Sequence, residues 1–172
     1  MQTLCWPIQE GYKRLHVGPT TGASLVKSGQ LKTFTTRDGL PTNLLRTLYE
    51  DADGALWIGT GGGGVSRFRA GRFANFNTQH GLPNDFISQI LEDDFGNLWF
   101  GSNRGIIRVS RLALNEYLDG KRNSVPWHVF GLSDGLSTLA CSGASQPAFC
   151  RAQDGKLWFA TIKGAAVVDP HC

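Results

Sequence analysis

At 172 residues, with 41% hydrophobic and 18% charged side chains, the chain has the length and composition of one globular domain with a real core. Lys and Arg outnumber Asp and Glu by 17 to 14, a formal charge of +3. They are scattered without a basic stripe between aromatics, which excludes the footprint of a nucleic-acid binder. No apolar run reaches the ~18 residues of a membrane-spanning helix, and residues 1–11 show no basic head followed by an apolar core, so no signal peptide is visible. The 22 glycines and five tryptophans, without collagen periodicity, predict many tight turns between many short strands.

In chain order, residues 1–34 read as a degraded repeat. Leu15-His16-Val17-Gly18 stands where later copies have Leu-Trp-Ile-Gly, and Thr3 to Gln9 offers one more strand, weakened by Pro7. The second repeat, 35–76, opens on the turn Asp38-Gly39-Leu40-Pro41. Strands follow over 43–50, 55–59, 65–68 and 71–76, with hairpin turns at 51–54 and 61–64. The third repeat, 77–130, restates this with His80-Gly81-Leu82-Pro83 and strands over 86–92, 97–101 and 105–109. Gly39 and Gly81 are 42 residues apart, and so are Trp57 and Trp99. Residues 111–120 interrupt it with a helical apolar period through Leu112, Leu114, Tyr117 and Leu118, capped by Gly120; a strand then resumes over 125–130. The last repeat, 131–172, begins at Asp134-Gly135-Leu136 and is stretched by five residues before Leu157-Trp158. Its strands span 146–152, 156–160 and 164–168, and its fourth strand is missing.

Four antiparallel strands in about 42 residues, apolar on both inner faces, are the unit of a β-propeller blade. The predicted fold is all-β: a single domain over 1–172, a partial β-propeller of about 3.5 four-stranded antiparallel blades.

The repeats resemble those of the two-component regulator propeller family. The resemblance rests on the Asp-Gly-Leu-Pro turn, Glu50-Asp51 and Glu92-Asp93 ending a strand, and the Asp-Gly turn into Leu56-Trp57-Ile58-Gly59-Thr60. It is firm over 34–170. Gly143 to Pro147 and Lys163 to Pro170 are similar to the closing blade, which in that family precedes a Y-Y-Y sandwich, a membrane span and a histidine kinase or diguanylate cyclase. No segment of this chain matches those output parts. The resemblance implies a non-catalytic bacterial sensor, extracytoplasmic, of glycans or other small molecules. With no leader visible, the chain itself reads as cytoplasmic or as part of a longer one.

Several motifs have simpler readings. Gly59-x-Gly61-x-x-Gly64 precedes a strand rather than the helix a dinucleotide site needs, so it is a hairpin turn. The acidic runs Glu50-Asp51-x-Asp53 and Glu92-Asp93-Asp94 are too short for a calcium loop and are expected to cap turns; Asp94-x-Gly96-x-x-Trp99 partly matches an Asp-box turn, itself structural. Trp57, Trp99 and Trp158, at one position in each blade, are expected to be packed between sheets. Cys5, Cys141, Cys150 and Cys172 and the four histidines lack metal-ligand spacing. Buried free thiols are the favoured reading, with a Cys141–Cys150 bridge the alternative if the two lie on adjacent strands. No metal or cofactor is expected, and no catalytic constellation assembles.

What remains is one end of the propeller, where the turns 37–41, 79–83 and 133–137 join 60–63, 102–104 and 161–163. Candidate ligand contacts there are Thr60, Ser102, Asn103, Arg104, Thr161 and Lys163, with Arg37 and His80; Gly39, Gly81 and Gly135 shape the turns. Hydroxyls, amide and cations suit a polyhydroxylated or anionic ligand. The alternatives are a propeller glycosidase or lyase, needing convergent carboxylates or an Arg cluster, and a structural module. Open blade edges predict self-association.

Overall fold

The computed structural model describes residues 12–18, 22–27, 30–143 and 148–171. The proposed strand at Thr3 to Gln9 and most of Gly143 to Pro147 lie outside them, as do Cys5 and Cys172.

Short runs of β-branched and aromatic residues between positive-φ glycines give four antiparallel sheets. The first holds β1 (Tyr12–Gly18), β2 (Gly22–Lys27) and β3 (Gln30–Phe34). The second holds β4 (Leu45–Glu50), β5 (Leu56–Thr60), β6 (Val65–Arg69) and β7 (Arg72–Phe76). The third holds β8 (Ile87–Glu92), β9 (Asn97–Ser102), β10 (Gly105–Ser110) and β11 (Trp127–Phe130). The fourth holds β12 (Phe149–Arg151), β13 (Leu157–Thr161) and β14 (Gly164–Val168). Strands pair in chain order within each sheet, and the inner strands β4, β8 and β12 adjoin one another.

Three interfaces stack the sheets face to face. Ala23 and Phe34 of the first sheet meet Leu45, Leu56, Ile58 and Phe68 of the second. Trp57, Val65 and Phe76 of the second meet Ile90, Leu98, Phe100 and Ile107 of the third. Trp99 and Ile106 of the third meet Leu157 and Phe159 of the fourth. Each large ring removed from water in this way contributes on the order of 2 kcal/mol. The segment between sheets repeats as well: a 3-10 turn at Thr36–Asp38, Thr78–His80 and Leu132–Asp134 ends on left-handed Gly39, Gly81 and Gly135. The next residue, Leu40, Leu82 or Leu136, folds back onto Phe34, Phe76 or Phe130 in the same core.

The tryptophans show how local the packing is. Trp57 and Trp99 are 0% and 1% exposed, each with a sheet on either side, but Trp158 is 41% exposed. The expectation that all three pack between sheets is corrected at Trp158, because no sheet covers the far face of β13 among the described residues. The acid at the turn between the first two strands of each sheet differs too. Asp51 Oδ2 accepts the Trp57 indole N–H at 2.8 Å and Asp93 Oδ2 accepts that of Trp99 at 2.8 Å, while Ala152 stands at the equivalent place before Trp158. The capping carboxylate is therefore Asp93 and not Asp94, which instead pairs with Arg151 of the fourth sheet.

The interruption forms α1 (Arg111–Leu118), with Ser110 as its N-cap and Gly120 at φ 74 just beyond its end. Ala113 and Leu114 are its buried residues, and Leu112 is exposed, contrary to the apolar period read from the sequence. The helix is latched to the second sheet, where the Arg67 guanidinium donates to Asn115 and Asp119. The third and fourth sheets are joined by buried Gln89, whose Nε2 donates to Ser142 O at 2.7 Å and Ala160 O at 2.9 Å. Cys141 and Cys150 are free thiols; Cys141 is buried, and burial pushes it up to about 11, but Cys150 is exposed, which corrects the buried reading for it.

Candidate functional site

The two ends of the stack differ in chemistry. At one end lie the turns that follow β5, β9 and β13, the second strand of each sheet. Thr60 Oγ1 donates to Gly64 O and accepts from Gly63 N. Ser102 Oγ does the same between Gly105 O and Arg104 N, and Thr161 Oγ1 between Gly164 O and Lys163 N. All three residues are buried. Their hydroxyls close the turns and do not face solvent, so they shape this end without offering their oxygens to a ligand.

What the turns do present is their apices. Asn103, Arg104 and Lys163 are exposed there, beside exposed Ile162. Arg46, exposed on β4, lays its guanidinium over the Phe86 ring at 5.2 Å from the centroid. Leu44 and Leu139 are exposed nearby, their carbonyls accepting from Gly61 and Gly105. Sequence reading missed Arg46, Phe86 and these apolar residues; the Arg46–Phe86 contact joins two sheets, and no local spacing signals it.

The remaining candidates separate. Arg37 is exposed on its 3-10 turn. His80 turns away from the apices, its ring 6.4 Å from Phe76 and 6.3 Å from Tyr117. It lines a cavity of about 460 Å³ with Asn75, Tyr117, Arg122 and Asn123. The acids of the segments between sheets are occupied: Asp38 accepts from Thr35 N, Asp85 from Thr78 N and Oγ1, and Asp134 from Gly131 N. The apices themselves carry Arg104 and Lys163 and no acid, while Asp38 and Asp134 stay exposed on the 3-10 turns.

The opposite end is acidic and does bring carboxylates together. Tyr49, Asp51, Glu92, Asp93, Arg111 and Arg151 line a cavity of about 450 Å³ between the second, third and fourth sheets. Tyr49 Oη donates to Glu92 Oε2 at 3.1 Å, and Arg111 Nε lies 2.7 Å from Glu92 Oε1. Arg111 also pairs with Asp53 and stands 3.7 Å from Asp51 Oδ2. Asp51 Oδ1 accepts from Asp53 N and Ala55 N, and Oδ2 from Trp57. The Asp51 oxygens thus cap their turn, and Glu92 faces Tyr49 Oη on one oxygen and the Arg111 guanidinium on the other.

Burial in this gap raises the Glu92 carboxyl above its ordinary range, against the Arg111 charge and the Tyr49 hydrogen bond; burial beside Glu92 raises Tyr49 as well. A carboxyl raised in the folded state binds its proton more tightly there than in the unfolded chain. Its contribution to stability is therefore greatest at low pH and declines as pH rises from the unfolded value toward the folded one. The stability of the native chain minus that of Glu92→Gln is expected to fall as pH rises above 4.5 and then level off, measured by urea melts from pH 4 to 8. A flat or rising difference contradicts it. Asp119, held low by Arg67, acts with the opposite sign in both proteins and drops out of the difference.

Four stacked antiparallel sheets with inner strands side by side make this chain a partial β-propeller. Residues 39–62 and 81–104 match the family described as "Two component regulator propeller". Among curated proteins none matches the sequence. Among solved structures the chain is similar to the extracellular domain of a putative one-component system from B. thetaiotaomicron, at 20% identity and a TM-score of 0.78 over 96% of this chain. It is also similar to the extracellular domain of a putative hybrid two-component system of that organism, at 18% identity and a TM-score of 0.70 over 97% of this chain. In each case the chain spans 23% of the solved chain. A virginiamycin B lyase from Staphylococcus aureus shares the fold more loosely, at 15% identity and a TM-score of 0.53, over 97% of this chain and 58% of the lyase. At these identities the likeness concerns the fold.

Proposed function

We propose that this propeller segment is a non-catalytic, extracytoplasmic sensing element that binds a polyhydroxylated or anionic small molecule at the end carrying Arg46, Asn103, Arg104 and Lys163. The observation that carries the reading is the exposure of Arg46, Arg104, Lys163 and Asn103 at one end, with no acid in the turns that carry the last three. Guanidinium and ammonium groups donate charge-assisted hydrogen bonds to carboxylates, phosphates or sulfates, and Asn103 serves hydroxyls. The Arg46–Phe86 pair and Leu139 supply the flat apolar surface on which a sugar ring rests. The similar structures, extracellular domains of putative one- and two-component systems, agree with a sensing role.

A lyase reading draws on the more distant propeller and on the Tyr49–Glu92–Arg111 cluster. It is the weaker one, because that cluster spends its charges on joining two sheets. The test is an array of neutral and acidic oligosaccharides probed with the intact chain. Saturable binding to acidic members is expected, weakened about 10-fold or more in Arg104→Ala/Lys163→Ala. Equal binding by that variant overturns the site, and turnover of a bound glycan overturns the non-catalytic reading.

A further inference from the structure

The rim between β7 and α1 carries more donors than acceptors. Trp57 pairs with Arg67, Arg67 with Ala74 and Arg69 with Arg72. Strand alternation therefore puts Arg67, Arg69, Arg72 and Ala74 on the face of the second sheet that meets the third. Arg67 gives its guanidinium to Asn115 and Asp119, and its buried Nε has no acceptor among the described residues. Arg122 pairs with Glu116. These contacts use both carboxylates of residues 111–124. Arg69, Arg72 and Lys121 are exposed and form no ion pair among the described residues. Asp119 is held low first by the Arg67 hydrogen bond, and the charges of Lys121 and Arg69 add to it, so both cations lie close by.

The hairpin that carries two of these cations is costly. Arg69 stands directly opposite Arg72, and like charges so placed destabilise an antiparallel pair. Between them Ala70 sits at φ 49, a left-handed conformation that a Cβ disfavours. Beside the hairpin lies the cavity of about 460 Å³ lined by Ala74, Asn75, His80, Tyr117, Arg122 and Asn123. Small-molecule sites run from about 300 to 1,000 Å³. Its walls are fixed, since Asn75 bonds Gly39 O and the Ser66 hydroxyl, and Tyr117 packs edge-on to Phe76 at 5.2 Å. His80 Nδ1 accepts from Asn77 N at 3.4 Å, which leaves Nε2 as the donor of the neutral ring.

We propose that this rim cavity is a second ligand site, taking a ring of monosaccharide size that carries a phosphate monoester. Arg122 and Lys121 on one side, with Arg72 and Arg69 on the other, supply the positive charge for a phosphate of about two negative charges. Asn123, Tyr117 and His80 serve the ring hydroxyls, and Arg67 holds α1 as the outer wall. The site shares no residue with the end that carries Arg46, Asn103, Arg104 and Lys163, and it stands or falls apart from the reading given for that end.

The test is calorimetric titration of the intact chain with glucose 6-phosphate, inorganic phosphate and glucose. Glucose 6-phosphate is expected to saturate one site about 10-fold more tightly than inorganic phosphate, with no heat from glucose. Arg72→Gln/Lys121→Gln should weaken it about 10-fold or more, the loss of charge-assisted hydrogen bonds. The same variant should melt at the native temperature or above, because it relieves the Arg69–Arg72 repulsion. Arg104→Ala/Lys163→Ala should bind glucose 6-phosphate as the native chain does. Absence of saturable binding, equal affinity for inorganic phosphate, or unchanged binding by Arg72→Gln/Lys121→Gln overturns the proposal. Binding lost in Arg104→Ala/Lys163→Ala assigns the phosphate to the other end and overturns it too.

Discussion

Asp93→Ala is expected to destabilise the protein by about 4 kcal/mol, more than removal of any exposed charge. Asp93 Oδ1 accepts from Phe95 N and Asn97 N, and Oδ2 from Asn97 Nδ2 and from Trp99 Nε1 at 2.8 Å. Its removal opens the turn between β8 and β9 and leaves the indole N–H of a buried ring without its acceptor. The comparison is built into the chain, since Ala152 precedes Trp158 and that ring is exposed, free to hydrogen-bond water. Urea melts of Asp93→Ala, Trp99→Phe and the double variant check the mechanism. If the indole bond carries much of the loss, the double variant is less destabilised than the sum of the two singles. Strict additivity contradicts the pairing.

Gly59→Ala should cost about 3 kcal/mol, because the obstacle is backbone. The added Cβ would lie 2.7 Å from Ile87 O of the next sheet and 2.5 Å from Thr47 Cγ2. Gly59 has no positive φ, so its requirement is space alone: β5 and β8 approach too closely for a side chain. Gly101→Ala meets mainly Gln89, whose Oε1 lies 2.5 Å away, and is expected to cost less, about 2 kcal/mol, through loss of the Gln89 bridge. Thermal or urea melts that rank Gly101→Ala above Gly59→Ala would contradict the assignment of backbone as the harder wall.

The strands and hairpins were legible because each is written locally, as a short apolar run between a turn acid and a left-handed glycine. Gly54, Gly96 and Gly155, at φ 78, 75 and 82, appear where the Asp-Gly turns predict them. Burial was less legible. Trp158 carries the same local motif as Trp57, and only the neighbouring sheet decides whether such a ring is covered. The hydroxyls of Thr60, Ser102 and Thr161 recur three or four residues ahead of a glycine, and that recurrence is the mark of a residue closing its own turn; their availability cannot be read without seeing where the oxygen points. Arg111 meets Asp53 across 58 positions and Arg46 meets Phe86 across sheets, contacts that exist only once the blades stack. The sequence thus carries the repeat and its turns, and the stack creates the charge difference between its ends.

The central claim is that ligand binds at the cationic end and is not transformed. Its most direct measurement is an amide-exchange footprint of the intact chain saturated with the tightest acidic oligosaccharide from the array, with mass analysis of the recovered ligand. The account predicts slowed exchange at 61–63, 103–104 and 162–163, none at 51–54 or 93–96, and ligand recovered unchanged. Protection confined to the turns around Tyr49, Glu92 and Arg111, or a cleaved ligand, would contradict it.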